Sequence, residues 1–126
     1  MIPVTLSAVA SLVLQGDSFD RCLANFLDGF YASPRGEALI DRPALLSPAL
    51  SDLGRIEDAY LAACAEELAR QFKLPLPTWT RDPERALNRP WFASPMAALR
   101  AVLLLESPAG FRSRNLFVSA NALSRA

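Results

Sequence analysis

The chain has 126 residues, 52% of them hydrophobic and 21% charged, with 13 basic and 13 acidic side chains. That length suits one domain with a core of its own, and that balance excludes a chain disordered throughout. Histidine is absent, which removes the usual general base near neutral pH and the commonest metal ligand.

Cys22 and Cys64 are the only thiols, and their separation fits neither a CxxC pair nor a zinc site. Both fall on apolar positions of helical patterns, so they read as core residues and suit a cytoplasmic compartment. The charges are unevenly spread. Residues 1–67 hold ten acidic and four basic side chains, whereas residues 68–126 hold three acidic and nine basic ones. The balances are therefore −6 and +6. Such a split either marks a binding face or pairs the two halves inside the fold.

In chain order, "MIPVTLSAVASLVLQG" lacks a basic start and sets Ile2, Leu6, Val9 and Val13 on one stripe. It predicts an amphipathic helix over 3–14 rather than a signal peptide. Gly16-Asp17 breaks this helix and recaps the next. There Phe19, Cys22, Leu23, Phe26, Leu27 and Phe30 recur at intervals of three and four. Three prolines break 33–51, leaving one short helix near 36–41. The longest helix is predicted over 51–73, with Leu53, Ile56, Tyr60, Leu61, Cys64, Leu68 and Phe72 as its apolar stripe. Glu66 precedes Arg70 by four residues, the favourable order for an exposed pair. In "LPLPTW", Pro75 and Pro77 push Leu74 and Leu76 into extended geometry.

A short capped helix is predicted over 82–88 and another over 94–105. The latter, "MAALRAVLLL", is apolar on nearly every side with Arg100 as its one charge, which places it at the centre of a bundle. A further short helix starts at Ser107, and Leu116-Phe117-Val118 is a brief extended stretch. One dipeptide recurs: Ser33-Pro34, Ser47-Pro48, Asp82-Pro83, Ser94-Pro95 and Ser107-Pro108 each set a capping residue before a proline, so five short helices are expected to start there. The expected fold is a single all-α domain over 1–126. It is a compact orthogonal bundle of six or seven mostly short helices with no significant sheet. Its core is expected from the helices near 19–30, 53–72 and 96–105. No run is long enough to span a bilayer.

Catalysis finds little support. Glu57 and Asp58, like Glu66 and Glu67, are adjacent on a helix and point in different directions, so neither pair is a ready dyad and both read as a solvated acidic face. The ExxH spacing of bundle metal sites cannot occur without histidine. Neither a GxxxxGK nor a GxGxxG loop is present. No enzyme activity, metal or cofactor is expected.

Binding is better supported. Arg81, Arg85 and Arg89 recur every fourth residue, and Arg112, Arg114 and Asn115 follow in the closing stretch. Such a set can meet a protein partner or the phosphates of a nucleic acid. Residues 111–126 also outline a helix–turn–helix, with Asn121, Ser124 and Arg125 as readers, but its second helix would be barely two turns. Arg100 is expected to form a buried ion pair with Asp28, Asp58 or Glu106. Trp79 and Trp91 are expected in the core, each with its indole N–H on a carbonyl.

Taken together, "LPLPTW", "PWF" and "ESPAGFRSRNLFVSANALSRA" resemble a family of small bacterial proteins, some with an N-terminal helix–turn–helix domain. Their genes often neighbour one for a nucleotidyltransferase-like protein, in an arrangement like a toxin–antitoxin pair. The resemblance covers about residues 60–126. It implies an antitoxin-like or regulatory partner protein and brings no catalytic residues. The family pattern has a third arginine where this chain has Ser113. The sequence therefore points to a non-enzymatic protein-interaction module. The alternative is a nucleic-acid-binding regulator using the basic half. A homodimer is a further expectation, because short-helix domains with surplus apolar surface pair readily.

Overall fold

The structure is a computed structural model and describes residues 2–125. Among these residues there are six α-helices: α1 (Leu6–Leu14), α2 (Phe19–Ala32), α3 (Glu37–Ile40), α4 (Ser47–Gln71), α5 (Arg100–Glu106) and α6 (Ala109–Arg112). Two-residue strands, β1 (Trp91–Phe92) and β2 (Leu116–Phe117), pair in parallel with Trp91 opposite Leu116. The mostly-α expectation holds, and the sheet is confined to this bridge.

The first two helices form where capping chemistry permits. Thr5 accepts from the Ala8 N–H at the start of α1, and Ser18 accepts from the Arg21 N–H at the start of α2. Between them Gly16 takes a positive φ of 102°, and the Asp17 N–H returns to the Leu12 carbonyl to close the end of α1. Leu6, Val9, Ala10 and Val13 of α1 are buried against Cys22, Leu23, Phe26, Leu27 and Phe30 of α2.

Helix α4 is the axis of the fold. Its first turn departs from the rest at Ser51, whose φ of 55° and ψ of −128° break the helix after Leu50. Beyond the break it presents alanines to its neighbours: Ala59, Ala62, Ala63, Ala65 and Ala69 are all buried. Leu61, Cys64 and Leu68 complete the face expected from the sequence, whereas Leu53 is exposed. The helix ends at Gln71, two residues before the expected end. Lys73 is left-handed there, and the Leu74 N–H bonds the Ala69 carbonyl at 2.8 Å.

Small residues on α4 let two clusters share it. One unites α1, α2, α3 and the 61–69 face with Trp79; the other sets Ala59 and Ala63 against Phe111, Leu116 and Val118. Tyr60 joins them, edge-on to Phe19 on one side and to Phe111 on the other.

The Ser/Asp-Pro pattern locates turns better than it explains them. Short helical segments do begin near Pro48, Pro83, Pro95 and Pro108, but Ser33 closes α2 instead of opening a helix. Only Ser94 makes the expected bond, accepting from the Met96 N–H at 3.2 Å; the other four do not cap a helix with their side chains. Ser107 instead donates to the Leu116 carbonyl and accepts from the Val118 N–H, while Asp82 pairs with Arg42. Proline fixes φ and initiates the turn, which frees the neighbouring side chain for tertiary bonds.

The centre of the bundle is the main correction. Helix α5 lies on the outside with only Leu103 of its residues buried, and α1 takes the place assigned to it. The Phe111–Arg125 stretch has no second helix, so it is not a helix–turn–helix; Tyr31 donates to the Leu123 carbonyl and Arg125 pairs with Asp28 instead. Among the described residues, no helix is long and apolar enough to cross a membrane.

Candidate functional site

Burial sorts the predicted contact residues into two groups. Arg85 is fully buried, the largest wholly buried side chain among the described residues. It sits in a single 3-10 turn, Pro83–Arg85, between prolines and away from α-helical geometry, so it does not share a face with Arg81 and Arg89 as helical spacing requires. Its guanidinium donates to the Pro43 carbonyl, lies 3.8 Å from the Asp58 carboxylate and stacks 4.9 Å over the Trp79 ring. Burial pulls its pKa below the ordinary arginine value, and Asp58 opposes that fall. Trp79 is itself buried and donates to the Leu39 carbonyl at 2.9 Å.

Asp58 is also not a solvated acid. It is fully buried and accepts from the Leu46 and Ser47 N–H groups at 2.7 and 3.2 Å. It thereby serves the turn that opens α4, from a position further along the same helix.

Arg114 is the second correction. It is 7% exposed and donates to Glu66 at 2.9 Å, to the Gly110 carbonyl at 2.6 Å and to the Thr80 carbonyl at 2.9 Å. Glu67 accepts from the Gly110 N–H, and Arg70 bridges Glu66 and Glu67 on the outer side. The Glu66–Glu67 pair is therefore the inner half of an ion-pair network that holds α6 against α4.

Asn115 is a turn residue. Its φ is 63°, its side chain donates to the Leu87 carbonyl at 2.7 Å and its own carbonyl accepts from Trp91. Asparagine tolerates the left-handed region because its short polar side chain bonds locally. Asn115→Ala is expected to lose about 1–2 kcal/mol of stability through strain and the orphaned carbonyl. Asn115→Gly should lose less, and urea denaturation of the two variants measures the difference.

These two networks join the acidic half to the basic half, as does Arg125 with Asp28. Internal pairing thus absorbs Arg85, Arg114 and Arg125. Arg81, Arg89 and Arg112 remain exposed, and none of them makes an ion pair among the described residues.

Arg100 reverses its expectation. It is exposed, with its guanidinium 5.2 Å over the Phe92 ring, and Phe92 stacks on Phe117. Its three proposed acidic partners are engaged elsewhere: Asp58 with Arg85, Asp28 with Arg125, and Glu106 as acceptor for the Ala120 N–H. Around it, Met96, Leu99, Val102, Leu104 and Leu105 are 60, 40, 47, 45 and 83% exposed. The helix read as core is an apolar surface with a cation set among its side chains.

No protein-family model, curated protein or solved structure matches this chain. Among the described residues, no group of three acidic or cysteine side chains is arranged to hold a metal. The geometry available for function is the α5 surface, the three outer arginines and the clefts beside α4.

Proposed function

We propose that this protein is a non-enzymatic interaction module whose contact face is α5 with Arg100. The observation that carries this reading is the exposure of Met96, Leu99, Val102, Leu104 and Leu105 along one short segment. Exposed apolar side chains scattered singly are ordinary, but five within ten residues form a patch of the kind that marks interfaces. Arg100 adds a donor, so the matching surface is apolar with a carboxylate near its edge.

The partner we assign is a nucleotidyltransferase-like protein encoded nearby, with this chain acting as its antitoxin-like counterpart. The sequence resemblance of residues 60–126 supports that assignment. Co-expression with the neighbouring gene product is expected to give a complex that co-purifies. Leu104→Glu with Leu105→Glu should abolish it, while the helical content by circular dichroism stays unchanged. No complex at low salt, or a complex indifferent to these substitutions, would sink the proposal. A complex formed only with a second copy of this chain, seen as a dimer by light scattering, would replace the assigned partner.

Nucleic-acid binding is the second reading, and the exposure of Arg81, Arg89 and Arg112 is what favours it. It requires duplex or single-strand affinity that falls steeply with salt and with removal of those arginines.

A further inference from the structure

A cleft of about 720 Å³ runs between α2, α4 and the strand segments, within the size range of small-molecule sites. Its walls are largely apolar and aromatic, with Phe19 and Leu23 from α2, Ile56 and Tyr60 from α4, Trp91 from β1 and Val118 after β2. Glu57 belongs to the same wall. The residue is 8% exposed, and its Oε1 is buried with no hydrogen-bond partner on the protein.

That state is costly. A buried carboxylate lacking a cation or a donor either binds a proton or awaits a partner. The other buried acid of α4 has several: Asp58 accepts from two backbone N–H groups and faces Arg85. The remaining charges near Glu57 do not satisfy it. Asp20 on the cleft rim and Asp58 on the same helix both oppose its ionisation, and the Tyr60 hydroxyl is pushed up to about 12 by burial. Arg125, the one cation on the cleft wall, is held by Asp28 at 2.8 Å.

We infer that this cleft is a binding site for a small organic cation, an ammonium group on an apolar or aromatic body, with Glu57 as its counter-ion. The ammonium supplies the donors and the positive charge that Glu57 lacks, Asp20 adds a second negative charge, and the rings of Phe19, Tyr60 and Trp91 line the wall against which its apolar body packs. The inference is independent of the interaction reading, because the cleft residues differ from those of α5.

Binding competes with a proton. Burial, with Asp20 and Asp58, lifts the Glu57 carboxyl from its ordinary value to about 7. The ligand therefore binds more tightly as pH rises through that value, while its own ammonium group stays protonated.

The test is an NMR titration of the full chain with 2-phenylethylammonium, read at the Trp91 indole N–H and the Glu57 and Tyr60 amides. Saturable binding is expected, tighter by about tenfold or more at about pH 8.5 than at about pH 5.5, because a group titrating near neutrality is almost fully ionised at the first and almost fully protonated at the second. The neutral analogue 2-phenylethanol should bind weakly and without pH dependence. Glu57→Gln, which removes the charge and keeps the shape, should lower the ammonium affinity about tenfold or more and abolish its pH dependence. Ala24→Trp, which fills the cleft from α2 and leaves Glu57 in place, should abolish binding. Absence of saturable binding, equal affinity for the alcohol, or unchanged affinity in a folded Glu57→Gln protein would each overturn the inference.

Discussion

Replacing Arg85 with alanine is expected to lower the stability of the fold by about 3–5 kcal/mol, the range for breaking one side of a buried ion pair. The loss is large because three dependants fail together. Asp58 keeps its Leu46 and Ser47 donors but remains a buried anion without its cation. The Pro43 carbonyl loses its donor, and the Trp79 ring loses the guanidinium stacked on it. Arg85→Lys should recover only part of the loss, because a single ammonium cannot reach Pro43 and Asp58 in the fork geometry of a guanidinium. Arg85→Met combined with Asp58→Asn should be less damaging than the sum of the two single changes, since removing both charges leaves neither stranded. Urea denaturation at neutral pH measures all of these. A loss below about 1 kcal/mol for Arg85→Ala would show that the pair does not hold the 43–85 contact.

Gly54→Ala should invert the usual sign for its substitution class. Alanine for glycine inside a helix ordinarily stabilises by about 0.5–1 kcal/mol. At Gly54 a Cβ would lie 2.5 Å from the Leu46 carbonyl oxygen and 2.6 Å from the Ser47 nitrogen. Both are backbone atoms, so no rotamer relieves the clash. The turn before Ser51 would have to move off α4, taking with it the two N–H groups that Asp58 accepts. A loss of about 1–3 kcal/mol is expected, as for other overpacked sites. Gly29→Ala is the matched control: it lies in α2 with nothing within 4 Å of the added Cβ, and it should stabilise. Thermal denaturation of the two variants should therefore move the midpoint in opposite directions.

What the sequence made legible follows the reach of its signals. Helices α1 and α2 were readable to within a few residues, because capping side chains and a 3.6-residue apolar period are local. Cys22 and Cys64 were placed correctly in the core for the same reason; Trp79, read from its residue type, is buried with its indole N–H on a carbonyl, whereas Trp91, read the same way, is only half-buried. Helix α5 was misplaced because apolarity on every side says that a segment avoids water, not which surface provides the shelter. The space was filled instead by α1 and by the alanine-rich face of α4, whose small side chains carry a weak hydrophobic signal.

The arginines failed differently. Arg85 and Arg114 looked like surface because arginine is mostly exposed, and their acceptors lie far away in sequence: Pro43, Asp58 and Glu66. The opposite charges of the two halves were the visible trace of that pairing, and they allowed internal pairing without naming which residues take part. Glu57 left no local sign at all. Its neighbour Asp58 is of the same chemical type one residue away, yet one is fully partnered and the other is not.

The two arginine networks also set an order of assembly. Asp58 and Glu66 lie in the half of the chain made first, and their cations, Arg85 and Arg114, follow 27 and 48 residues later. Until Arg85 emerges from the ribosome, closing the core around α4 would strand the Asp58 carboxylate without its counter-ion, whereas Glu66 already has Arg70 four residues on. Helices α1 and α2 can pair early, because their contacts are local. Helix α4 can join them through its 61–69 face, but its contacts with the 78–85 turns and α6 must await the second half, whose long-range pairings carry the higher chain-closure entropy. Those pairings are thereby deferred until residues 78–114 have been made, and the −6 balance of residues 1–67 keeps such chains apart in the meantime.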